Sequence, residues 1–128
     1  GPQHDPAVDN IVDSVRADLG YEGREISEQE IHQRLFYALI NAGAHLLGEG
    51  VAMRPSDIDV VYHFGYAFPV YRGGPMYYAD QVGTKAVYEA VAGFHQQYGE
   101  LWTPAPLLKE LAESGKSFAQ WQQEQEAK

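Results

Sequence analysis

Apolar residues recur along this chain at helical rather than strand spacing. Val8, Ile11, Val12, Val15 and Leu19 follow one another at i, i+3, i+4, i+7 and i+11, behind an Asp5-Pro6 pair that supplies an N-cap and a first-turn proline. They predict an amphipathic helix ending at Gly20, with Tyr21 to Ile26 as a connector. Ser27-Glu28-Gln29-Glu30 has the S-x-x-E form in which hydroxyl and carboxylate satisfy each other's backbone N–H groups, so a long helix starts there. Its apolar face is Ile31, Leu35, Leu39, Ala42 and Leu46, flanked by Phe36, Ile40, Gly43 and Leu47. It runs to about Gly48 or Gly50, where glycine permits a left-handed terminus.

Pro55-Ser56-Asp57-Ile58-Asp59 predicts a third helix, with Ser56 as N-cap and acids in the first turn where the helix dipole favours them. Val60 to Phe64 is β-prone by composition, but the cap decides for helix as far as about Phe64. Gly65 to Pro75 mixes glycines and prolines with aromatics, which suits an ordered loop pinned by rings. Further helices are expected over Pro75–Val82, from a Thr84 cap through Tyr98, around Leu107, Leu108 and Leu111 to Gly115, and from a Ser117 cap through Phe118 and Trp121. The whole reads as all-α, a single domain of about six or seven helices with no parallel sheet. Gly1-Pro2 resembles the remnant of a cleaved tag, so residues 1–4 are set aside as a flexible start, 5–121 form the domain, and 122–128 are a polar tail expected to fray.

Charge and composition then exclude several functions. Eighteen acidic against nine basic residues give a net charge of −9, which repels polyanions and argues against nucleic-acid binding. The apolar runs fall short of the ~20 residues needed to cross a bilayer. There is no cysteine, hence neither disulfide nor thiolate metal site. The five histidines show no ligand spacing: His32 and His45 share a helix but lie ~20 Å apart along its axis. His45 and Glu49 form an i,i+4 pair that could polarise an imidazole, although such surface pairs usually carry no chemistry. Asp57 and Asp59 point to different faces of their helix, where capping is the expected role. Arg72-Gly73-Gly74-Pro75 is the best anion-binding candidate, a guanidinium beside glycines at a helix start; the plainer reading pairs Arg72 with an acid and leaves the glycines to make a tight turn. Tyr66, Phe68, Tyr71, Tyr77 and Tyr78 could line an acyl pocket or form a satellite core. There is no G-x-S-x-G elbow, P-loop or dinucleotide fingerprint.

From Ser27 to Gly83 the chain resembles the C-terminal domain of 3-hydroxyacyl-CoA dehydrogenases. The resemblance is carried by Arg34-Leu35, Leu39-Ile40-Asn41, Gly43-Ala44, Glu49-Gly50, Arg54-Pro55-Ser56-Asp57-Ile58-Asp59, Tyr71-Arg72-Gly73-Gly74-Pro75-Met76 and Ala79-Asp80-Gln81-Val82-Gly83. It implies NAD-linked oxidation of L-3-hydroxyacyl-CoA in a parent enzyme, with the histidine–glutamate pair and the NAD site in a preceding Rossmann domain. This chain is thus expected to hold no catalytic, cofactor or metal residue. The family's active copy has an asparagine in an N-R-L pattern; here the triplet is Gln33-Arg34-Leu35, as expected of the second, non-catalytic copy in multifunctional enzymes. Such a copy packs on the preceding Rossmann and first helical domains, meets acyl-CoA only through the parent, and in isolation could form a homodimer. Tyr66, Phe68, Pro69, Arg72, Gly73, Gly74, Pro75 and Asp80 are the family-motif turn and candidate interface. The alternative is a free-standing helical module binding an acyl-CoA or a protein; a hydrolase or metal enzyme built on His45 and Glu49 is a third reading. Lacking a terminal Ser-Lys-Leu-type signal, the parent is expected to be cytoplasmic, with a peroxisomal enzyme as the alternative.

Overall fold

A computed structural model describes residues 5–127, so the proposed tag remnant at 1–4 lies outside the described residues. Among those described there are seven α-helices and no strand: α1 (Pro6–Leu19), α2 (Glu28–Gly48), α3 (Pro55–Gly65), α4 (Pro75–Val82), α5 (Thr84–Tyr98), α6 (Pro106–Ser114) and α7 (Phe118–Glu126), with 3-10 turns at Val70–Arg72 and Glu100–Trp102. The β-prone run 60–64 is helical, as its position behind Pro55 required.

The core lies between α2, α4, α5 and α6. Ile40, Ala44 and Leu47 from α2 meet Met76 and Ala79 from α4, Val87 and Val91 from α5, and Leu108 and Leu111 from α6, with Phe118 of α7 fully buried at one side. Two expectations about packing are corrected. The stripe Ile31, Leu35, Ala42 and Leu46 is the exposed side of α2, and the buried side is the one first read as flanking. α1 is an amphipathic helix as its spacing predicts, capped by Asp5 and ended by a left-handed Gly20, yet it buries none of its residues.

Several helix ends differ from the sequence reading. Ser27 accepts from the Glu30 amide, but Glu30 does not complete the capping box, because Arg24 from the connector holds its carboxylate in a charge-assisted pair. Pro55 opens α3, placing Arg54 rather than Ser56 at the cap position, and Arg54 grips Asp57 from the side at 2.7 Å. Thr84 is already helical, and its hydroxyl donates to the Lys116 carbonyl at 2.8 Å instead of capping α5. Residues 122–126, read as a fraying tail, continue α7, whose start carries a full capping box between Ser117 and Gln120.

Candidate functional site

Short helices are marginal by themselves, and their first N–H groups need acceptors. α4 has eight residues and α6 nine, and neither has a side chain of its own cap residue to serve them, since Gly74 and Ala105 occupy those positions. The acceptors come from other helices. Asp59 of α3 takes the amides of Met76 at 2.7 Å and Tyr77 at 3.0 Å, closing the start of α4. Asn41, buried in the middle of α2, accepts from the Ala105 amide at 2.8 Å and donates to the Thr103 carbonyl at 2.9 Å, fixing the entry to α6. Asp80 of α4 accepts from Phe118 at 2.7 Å and Ala119 at 3.0 Å, doubling the local box of α7. Three motif residues thus tie α2 to α6, α3 to α4, and α4 to α7.

The glycine turn is shaped around one of these ties. Gly74 sits at φ +138°, and a Cβ there would collide with the Asp59 carboxylate. Gly73 is left-handed, at φ +76°, and a Cβ would come within 2.6 Å of the Tyr77 ring. The amides that could have cradled an external anion are the ones Asp59 already occupies. Pro75 is buried at the first position of α4, where its missing N–H is no loss. Burial pushes the Asp59 carboxyl above the ordinary range, the two amide bonds pull the other way, and the charge of Asp80 adds to the rise. Asp80 is raised by burial too, against its two amide bonds.

Arg72 makes no ion pair with a described residue, contrary to the expectation of an acidic partner. Its guanidinium lies over the rings of Tyr78 at 4.9 Å, Phe36 at 5.1 Å and Tyr71 at 5.4 Å. The aromatic cluster divides. Phe68 is buried and meets Phe36 edge-on at 5.4 Å, whereas Tyr66, Tyr71 and Tyr77 are exposed. Pro69 accepts from the Arg72 amide at 2.9 Å and so opens the 3-10 turn beneath them.

The remaining candidates are peripheral. The nearest His45–Glu49 approach is 4.0 Å on the surface, and the other ring nitrogen of His45 faces the Thr103 carbonyl at 3.3 Å. Asp57 is held by Arg54, on another side of α3 from Asp59. Gln33 is half-buried on α2, one turn before Tyr37. Among the described residues no three His, Asp or Glu side chains gather as a metal site would require, and no helix is long and apolar enough to cross a membrane. The role of Asn41 was missed in the sequence. Its signal was an amide in the middle of an apolar helical face, where a buried polar group must find partners.

This framework matches known proteins over most of its length. The model of the 3-hydroxyacyl-CoA dehydrogenase C-terminal domain family covers residues 31–123. The peroxisomal bifunctional enzyme of Danio rerio is 42% identical over 113 residues, which are 87% of this chain and 16% of that protein. The human peroxisomal bifunctional enzyme is 39% identical over 121 residues, or 92% of this chain and 17% of the relative. A glyoxysomal fatty acid beta-oxidation multifunctional protein of Brassica napus is 33% identical over 115 residues, again 87% of this chain and 16% of its own length. The chain therefore spans about 16% of the length of the curated relatives it matches. With its seven-helix fold and its match over residues 31–123, the chain belongs to the 3-hydroxyacyl-CoA dehydrogenase C-terminal domain family.

Proposed function

We propose that this domain serves a 3-hydroxyacyl-CoA dehydrogenase of fatty-acid β-oxidation as a packing partner of the catalytic half, rather than as the part that transfers hydride. The parent would use NAD to oxidise L-3-hydroxyacyl-CoA, with NAD and acyl-CoA held by its Rossmann and first helical domains. The observation that carries this reading is the commitment of Asn41, Asp59 and Asp80: each spends its hydrogen-bonding atoms on the start of another helix. Gln33 at the position of the active copy's asparagine supports the same view. The names of the relatives favour the peroxisomal alternative over a cytoplasmic one.

The test is an NAD-linked assay with a 3-hydroxyacyl-CoA. The isolated chain is expected to give no turnover, and to restore activity when added to the human peroxisomal bifunctional enzyme lacking the matched region. Turnover by the chain alone overturns the packing role, as does failure to bind or restore the truncated relative.

A further inference from the structure

α2 is apolar on two opposite sides. Tyr37, Ile40, Ala44 and Leu47 face the core, while half a turn away Ile31, Leu35, Ala38, Ala42 and Leu46 stand exposed. A helix apolar on two opposite sides fits between two layers, and here the outer layer is open. Just upstream, α1 presents an apolar stripe that is equally uncovered, from Val8 at 54% exposed to Leu19 at 62%. One antiparallel register sets Leu19 beside Ile31, Val15 beside Leu35, Val12 beside Ala38, Ile11 beside Leu39 and Val8 beside Ala42. Every member of the α1 stripe then meets an apolar position of α2, with no slip between the two series.

We propose that α1 folds back as the second member of a helical hairpin and covers the outward face of α2. The connector permits it. Eight residues separate the helices, enough to reach ~26 Å, whereas paired helix axes need only ~8–10 Å. Arg24 fixes the later part of the connector to Glu30 and Tyr98, which leaves Gly20 to Gly23 to turn the chain. A second copy of the chain is the weaker occupant for this face. A segment tethered by a short linker acts at an effective concentration of roughly millimolar, and two chains of net charge −9 repel each other. The inference stands apart from the proposed function.

Because the chain has no cysteine, paired substitutions report the hairpin without background. Under oxidised glutathione, Val15→Cys with Leu35→Cys, and separately Val8→Cys with Ala42→Cys, should each form a disulfide within one chain in most molecules. Val8→Cys with Ile31→Cys, which would meet only in a parallel pairing, should not. All these sites are on exposed faces, so the fold is retained. The proposal is overturned if both register pairs stay reduced, if they link only chain to chain, or if the control pair closes as readily.

Discussion

The two sides of α2 carry similar apolar side chains but lie in opposite surroundings. Ile40 is fully buried against α4 to α6, whereas Leu35, slightly more than a turn away, is 61% exposed. Helical periodicity identifies an apolar face; it does not say which of two such faces the rest of the chain will cover. That choice was made by the helices downstream, which are tied to the Asn41 side through Thr103 and Ala105.

The sharpest challenge to this contrast is truncation on each side. Ile40→Ala should cost about 2–5 kcal/mol in urea unfolding, since it empties a packed position. Leu35→Ala should cost less by at least about 1 kcal/mol, because only the single tethered helix α1 is there to cover it, whereas three helices enclose Ile40. Equal costs would mean that the outward face is as firmly packed as the inward one.

A smaller effect separates the buried ties from the surface pairs through pH. The carboxyl of Asp80 is raised by burial, so the folded chain holds that proton more tightly than the unfolded chain. Its contribution to stability is then fully present below the ordinary Asp pKa of about 3.9 and is lost as pH rises through the higher folded value. Asp80→Asn removes that dependence. The stability difference between the parent chain and Asp80→Asn should therefore favour the parent more at low pH than at pH 7. Asp57, lowered by its pairing with Arg54, has the opposite sign, its contribution fading as pH falls through the folded value. A gap for Asp80→Asn that widens with rising pH would reverse the assignment.

Much of the fold was legible in the sequence because helices announce themselves locally. The Asp5 cap, the Pro75 start, the Gly20 stop and the Ser117 cap each carry a signal within four residues. The glycine turn was legible too, although its cause lay elsewhere: Gly74 is required by a carboxylate from α3, fifteen positions back along the chain. What could not be read locally were the ties themselves. Asp59 looked like a first-turn acid of α3, and Asp80 like part of the family-motif turn and candidate interface. Arg72 looked like half of an ion pair, yet three rings supply its surroundings, Phe36 from α2 together with Tyr71 and Tyr78 from its own stretch of chain. For Asp59 and Asp80 the partner is fixed only when separate helices come together.

That motif carboxylates act as joints between helices is open to direct test, because amide hydrogen exchange reads those joints one by one. Asp80→Ala should speed exchange at Phe118 and Ala119 by roughly 3- to 30-fold, the loss of one helix cap, while Met76 and Tyr77, held by Asp59, keep their rates. Unchanged exchange at Phe118 and Ala119, or an increase shared equally by Met76 and Tyr77, would contradict it.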